Sequence, residues 1–143
     1  MQTAKALGLH DAIRRVFPGK IVHVLGETYG AGVQDLAYGR KDCAFAAFDI
    51  WVDGSFLGRD AFAAAIRDLG IERMPVLYRG PFSKVVMYEH TDGKTVVGGG
   101  AHIREGVVVV PAAERRNDAI GRVILKSVSG DYLTRKGEAT EFN

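Results

Sequence analysis

The sequence lacks the features that mark secreted, membrane-bound and disulfide-stabilised proteins. Its 143 residues contain one cysteine, Cys43, which excludes an intramolecular disulfide and fits a reducing compartment. The first residues hold no apolar run of signal-peptide length, and no stretch approaches the roughly 18 apolar residues of a membrane span. These absences lead us to expect a cytoplasmic protein that makes no contact with a membrane.

The motifs of several common enzyme classes are absent as well. No glycine cluster is followed by Gly-Lys-Ser/Thr or completes G-x-G-x-x-G, so the sequence has neither a Walker loop nor a dinucleotide fingerprint. It also has no G-x-S-x-G nucleophile elbow. The four histidines show no i, i+3 or i, i+4 pairing, and we therefore do not expect a zinc site.

Basic and acidic residues nearly balance, whereas glycine is more abundant than average. The net charge of +2 comes from 19 basic and 17 acidic residues, which is too weak a surplus to indicate a nucleic-acid-binding face. The 47% hydrophobic and 25% charged residues are typical of a soluble globular protein, and we expect a single domain over residues 1–143. The 18 glycines exceed the roughly ten expected from average usage, which favours tight turns or backbone close to a ligand.

Hydrophobic periodicity predicts helices and strands in irregular alternation. We expect helices over residues 3–17, 60–69 and 82–89, with a last helical turn over 131–136. We expect strands over residues 21–25, 44–52, 75–78, 105–110 and 122–128, a hairpin turn at Asp53-Gly54, and a glycine-rich loop over 26–39. This order predicts an α+β fold with a mostly antiparallel sheet and flanking helices.

Four charged residues lie at or inside apolar strands. Glu27, Asp49 and Glu105 are carboxylates in apolar surroundings, where a charge has to be paired, hydrogen-bonded or bound to metal. Lys126 lies within a strand predicted to be buried, where lysine is rare without a partner. The alternative for Lys126 is an edge lysine that prevents unwanted strand pairing.

Two side-chain arrangements follow from these strands. If residues 105–110 and 122–128 form one hairpin centred between Arg115 and Arg116, Glu105 lies directly opposite Lys126 and shares its face. That pair would be placed to hold a phosphate and its metal ion. Phe48 would project from the face opposite to Asp49 in a regular strand, either into the core or as an aromatic plate for a base.

Four segments, in this order, resemble the ATP-dependent RNA ligases, in particular the bacteriophage T4 RNA ligase 2 and Deinococcus types. They are GETYGAGVQDLAYG, AFDIWV, EGVVVVP and ILKSVSGDYL. A further segment, VLYRGPFSKV, lies between AFDIWV and EGVVVVP and resembles the stretch that the family has at that place. Order and spacing agree over residues 21–136. The resemblance implies a partial covalent nucleotidyltransferase domain, in which a lysine takes AMP from ATP with Mg²⁺ and the adenylate drives sealing of RNA 3′-hydroxyl and 5′-phosphate ends.

The resemblance also implies roles for single residues. Glu27 matches the acid that contacts the nucleotide ribose, and Phe48 matches the aromatic residue that stacks on adenine. Asp49 matches an acidic residue required for activity, Glu105 the acid near the metal, and Lys126 the lysine that binds the α-phosphate. These residue types suit phosphoryl transfer, which depends on positioning and on neutralising charge.

Two departures from the family pattern concern lysines. The family motif that ILKSVSGDYL resembles has a second lysine, and Val128 stands in its place. None of the seven lysines begins K-x-D-G, the motif that carries the nucleophilic lysine. We therefore expect the C-terminal part of an adenylylation domain, which works with a K-x-D-G half supplied by a separate polypeptide. The alternatives are a non-catalytic adenine-nucleotide or RNA-binding module and an inert truncated remnant.

Overall fold

Helices and short strands alternate in the computed structural model, which describes residues 8–30, 43–97 and 102–134. The helices are α1 (Leu9–Val16), α2 (Arg59–Leu69), α3 (Lys84–Thr91) and α4 (Gly130–Thr134). The strands are β1 (Val22–Tyr29), β2 (Ala44–Val52), β3 (Ser55–Phe56), β4 (Glu72–Arg73), β5 (Gly106–Val109), β6 (Arg116–Asn117), β7 (Gly121–Arg122) and β8 (Leu125–Val128). All strand pairs are antiparallel except β2 with β4, so the predicted α+β class is confirmed.

The first sheet is built on β2, the most apolar strand. β2 pairs with β1 along its whole length and then turns at Asp53-Gly54 into β3, as predicted. Both turn residues have positive φ, 45° and 106°, which explains why an aspartate and a glycine occupy them. The short β4 adds to β2 on the side away from β1.

Helices α1 and α2 cover one face of this sheet and form the core with it. Ala47 and Ile50 of β2 are fully buried against Leu9 of α1 and against Phe62 and Ile66 of α2. Burying each large apolar side chain contributes about 1.5–3 kcal/mol, so this layer dominates the stability of the first sheet. The opposite face of the sheet points away from α1 and α2, and we call it the open face.

A β-bulge interrupts the pairing of β1 with β2 at Phe48. Leu25 pairs with Asp49, but Gly26 pairs with Ala47, which leaves Phe48 as the extra residue. Gly26 is required here, because a Cβ at this position would lie 2.5 Å from the carbonyl oxygen of Ala46. The bulge shifts the alternation of β2, so the regular strand assumed from the sequence is wrong at this point.

The second sheet pairs β5 with β8 and packs against α3. The hydroxyl groups of Thr91 and Ser127 are hydrogen-bonded at 2.8 Å, and the fully buried Ser129 donates to Asp92 Oδ1 at 2.7 Å. These polar contacts fix the Ser127 face of the hairpin to the end of α3. The small β6–β7 hairpin lies between β5 and β8 in the chain.

Several predicted element bounds are wrong. β1 continues to Tyr29, so Glu27 lies in a strand and not in the glycine-rich loop; most of that loop falls outside the described residues. Residues 75–78 form no strand, and β4 lies just before them. The predicted strand 122–128 is divided into β7 and β8, because β7 pairs with β6. Helix α1 begins at Leu9, after Gly8 with a left-handed φ of 60°.

The predicted pairing of Glu105 with Lys126 is also wrong. Lys126 lies opposite Val108, three residues further along than expected. The Glu105 carbonyl instead accepts a hydrogen bond of 2.8 Å from the backbone N–H of Ser129, three residues after Lys126. Lys126 is exposed rather than buried, and Val108 beside it is 58% exposed.

Within the described ranges, no helix has the length and apolar character needed to cross a bilayer.

Candidate nucleotide site

Three of the predicted site residues lie on neighbouring positions of β1 and β2. Leu25 is paired with Asp49, and Glu27, two residues further along β1, is paired with Ala46. Because paired residues of an antiparallel sheet share a face, Glu27 and Asp49 both project from the open face. Phe48 lies at the bulge between these two pairs. The first sheet therefore brings Glu27, Phe48 and Asp49 together.

Phe48 is an exposed aromatic residue in a buried part of the strand. Ala46, Ala47, Asp49 and Ile50 are all buried, whereas Phe48 is 40% exposed and is not part of the core cluster. The core-packing alternative from the sequence is therefore wrong. An exposed ring held on a rigid strand provides a stacking surface for a base.

Arg59 holds the backbone at this bulge. Its Nη1 donates to the carbonyl oxygen of Phe48 at 3.0 Å, and its Nη2 donates to the carbonyl of Leu57 at 3.2 Å and to Oδ1 of Asp49. The same guanidinium lies 4.7 Å from the ring centroid of Phe62. Arg59 thus fixes the position of Phe48 without covering its side chain.

Asp49 is the centre of a buried ion-pair network. The residue is 3% exposed, and its second oxygen, Oδ2, accepts a hydrogen bond of 2.5 Å from Nη1 of Arg122. Arg122 also donates to both oxygens of Glu114, at 2.9 and 3.0 Å, and lies 3.7 Å over the ring of Phe56. Partial burial works to lower the pKa of Arg122, but hydrogen bonds to Asp49 and Glu114 raise it above its ordinary value.

The ion pairs of this network determine the role of Asp49. Two carboxylates, Asp49 and Glu114, balance two guanidiniums, Arg59 and Arg122, so the cluster has no net charge. Both oxygens of Asp49 accept hydrogen bonds from arginine, which makes it a positioning residue for the bulge and for β7. The sequence indicated that Asp49 needs a partner, but it gave no sign of Arg59 or Arg122.

Lys126 lies on β8 of the second sheet, and Glu105 lies just before β5, so the two residues are at separate positions. Lys126 projects from the same side of the β5–β8 pair as Val108, the side that does not contact α3 through Ser127. Glu105 precedes β5 and is half-buried. Its neighbour Arg104 donates to the carbonyl oxygens of His90 and, at 2.8 Å, Lys94, and so anchors this segment to the end of α3.

Glu105 is the one carboxylate that the sequence analysis assigns to a metal ion. Among residues 8–30, 43–97 and 102–134, no three His, Cys, Asp or Glu side chains converge into a ligand cluster. Mg²⁺ in phosphoryl-transfer sites typically binds one or two carboxylates, several waters and the substrate phosphates. Glu105 fits that kind of site and does not fit an all-protein metal cage.

Comparison with known proteins gives one family. The family model for RNA ligase matches residues 2–128. The fold is similar to a Naegleria gruberi RNA ligase mutant with ATP and Mn, with a TM-score of 0.73 and 18% identity over 92% of this chain and 39% of that chain. Mutants of that ligase with AMP and Mn and in the apo form give TM-scores of 0.74. We found no match among curated protein sequences. The chain thus spans about 39% of the length of the ligase structures it resembles.

Proposed function

The chain belongs to the RNA ligase family, and we propose that it supplies the adenosine- and phosphate-binding part of an RNA-sealing nucleotidyltransferase. One observation supports this function most strongly. Phe48 is exposed at a bulge of an otherwise buried strand, and Glu27 on the paired strand lies opposite Ala46, two residues before Phe48. A flat ring next to a carboxylate on a rigid sheet is an arrangement suited to an adenine base and its ribose hydroxyls.

The proposed roles follow from residue chemistry. Phe48 stacks on adenine, and the Glu27 carboxylate accepts a hydrogen bond from the ribose. Lys126, exposed on β8, contributes a positive charge to the α-phosphate, and Glu105 contributes a carboxylate for Mg²⁺. A bound Mg²⁺ would neutralise charge on the phosphates. Asp49 acts indirectly, because it positions Arg59 and through it the backbone of Phe48.

The chemistry of sealing needs a lysine nucleophile that this sequence does not place in K-x-D-G. We propose that a separate polypeptide carrying K-x-D-G completes the site, that ATP is the nucleotide, and that the substrate is a pair of RNA ends in cytoplasmic RNA repair. Inspection of the DNA immediately upstream for K-x-D-G in any frame tests this proposal. Its presence supports a split ligase, and its absence favours the second candidate.

The second candidate is a non-catalytic module that binds an adenine nucleotide or RNA. The absence of K-x-D-G among the seven lysines favours it, since the remaining site residues bind and position but form no covalent adduct.

We expect that the purified chain binds ATP but does not become covalently labelled. Incubation with α-labelled ATP and Mg²⁺, followed by denaturation and gel electrophoresis, measures the covalent adduct. The expected result is no protein-linked label for the wild type or for Lys126→Ala, because Lys126 binds phosphate and is not the nucleophile. A cooperative unfolding transition of the same sample shows that the chain folds on its own.

Stable label on the wild-type chain would contradict this expectation. Repeating the experiment with Lys5→Ala then identifies the acceptor, because Lys5 begins the one sequence, Lys-Ala-Leu-Gly, that partly matches the nucleophile motif. Label lost in Lys5→Ala assigns the nucleophile to this chain and removes the need for a second polypeptide.

A further inference from the structure

A shallow groove lies on the open face of the first sheet, nearer the start of β1 than Glu27. It is lined by His23, Leu25, Trp51 and Phe56 and has a volume of about 280 Å³. The rings of His23 and Trp51 meet edge to face, with centroids 5.0 Å apart. Three of the four lining side chains carry flat rings, the surfaces on which nucleobases stack with little sequence preference. None of these residues belongs to the proposed adenosine site.

An arginine without an ion-pair partner among the described residues lies opposite Arg122, which contacts the groove residue Phe56. Arg122, whose guanidinium covers one face of Phe56, is directly opposite Arg116 in the β6–β7 hairpin. Paired residues share a face, so Arg116 projects on the same side of the hairpin as Arg122. Arg122 is neutralised by Asp49 and Glu114, whereas Arg116 is exposed and makes no ion pair within the part of the chain that the structure describes.

The groove and Arg116 have the chemistry to bind a base and a phosphate, respectively. The rings provide an apolar stacking surface for a base, and the arginine provides a bidentate donor for a phosphate oxygen pair. We propose that this groove binds an unpaired ribonucleotide of the RNA substrate, with the base against Trp51 and Phe56 and the phosphate at Arg116. The choice of RNA rests on the proposed function, whereas the base-and-phosphate chemistry rests on the groove itself.

Trp51 makes occupation of the groove directly measurable, because it is the only tryptophan of the chain. The full chain is titrated with a short 5′-phosphorylated oligouridylate while Trp51 fluorescence is followed, and separately with AMP. We expect saturable quenching by the oligonucleotide, and no such quenching by AMP at concentrations that fill the adenosine site. Oligonucleotide binding without a Trp51 response overturns the proposal. Quenching by AMP with equal affinity assigns the groove to free nucleotides and also overturns it.

Neighbouring arginines provide a matched pair of variants. Arg116→Ala should weaken oligonucleotide binding and reduce the slope of log affinity against log salt concentration by about 0.7, the value for one phosphate contact on a single strand. Arg115→Ala removes the same charge from the adjacent position, which alternates to the other side of the hairpin. Equal losses in the two variants would reduce the effect to general electrostatics and would overturn the proposal.

An ATP titration of the wild type separates failure of this inference from failure of the proposed function. Saturable ATP binding without any Trp51 response to RNA overturns the groove proposal alone. A Trp51 response to RNA without ATP binding supports the groove and contradicts the adenosine site.

Discussion

Replacing Asp49 by alanine is expected to lower the free energy of unfolding by about 3–5 kcal/mol, the usual consequence of removing one partner from a buried ion pair. The side chains of Arg59 and Arg122 are only 20% and 15% exposed, so neither guanidinium can recover its full hydration once Asp49 is gone. Arg122 keeps Glu114, but Arg59 keeps only backbone carbonyls and the ring of Phe62. A loss of this size is a large fraction of the roughly 5–15 kcal/mol that stabilises a domain.

Urea denaturation followed by circular dichroism measures this loss. Asp68→Ala is the matched control, because among the described residues Asp68 pairs only with its exposed neighbour Arg67, and the change should stay within about 0.5 kcal/mol. Asp49→Asn should fall between the two, since an amide oxygen still accepts one hydrogen bond. If Asp49→Ala kept the wild-type midpoint and lost only ATP binding, Asp49 would contact the ligand and would not be a positioning residue.

Gly106→Ala should open the second sheet, with an expected loss of about 3 kcal/mol or more from strain and steric overlap combined. Gly106 has φ +147°, a conformation that residues with a Cβ rarely adopt. An added Cβ would overlap the carbonyl oxygen of Ser127 and lie 2.9 Å from Cα of Val128. Both atoms belong to the backbone of β8, so the overlap is relieved only by separating β5 from β8.

Gly93→Ala distinguishes the two causes. Gly93 also has a positive φ, +117°, but an added Cβ meets nothing within 4 Å, so its substitution reports backbone strain alone. We expect a smaller shift in the urea midpoint for Gly93→Ala than for Gly106→Ala. Equal shifts would mean that β8 yields to the added methyl group, and that the close approach at Gly106 contributes nothing to the fold.

The sequence predicted the local features of the first sheet well. The apolar run of β2 and the turn at Asp53-Gly54 are each encoded by residues that are adjacent in the sequence. The bulge at Phe48 carries no such signal, because it arises from the pairing with β1 and from the close approach at Gly26. The partners of Asp49 were equally invisible, since Arg122 is 73 residues away in the chain.

The second sheet was predicted less well, for a different reason. The register placing Glu105 opposite Lys126 assumed one long hairpin, but residues 116–122 pair with each other and shift the strands by three positions. Lys126 was expected to be buried because apolar residues precede it. A run of apolar residues does not show which face another element covers, and here α3 contacts the Ser127 side.

The affinity for ATP of the wild type and of Phe48→Ala tests the central claim most directly. Isothermal titration calorimetry with Mg²⁺ present should give saturable ATP binding to the wild type and binding roughly tenfold weaker to Phe48→Ala, as expected from losing one base–aromatic stack of about 1–3 kcal/mol. The urea midpoint should change little, because Phe48 is 40% exposed and lies outside the core cluster. Equal affinities in the two proteins, or no saturable ATP binding by the wild type, would contradict an adenosine site at this bulge.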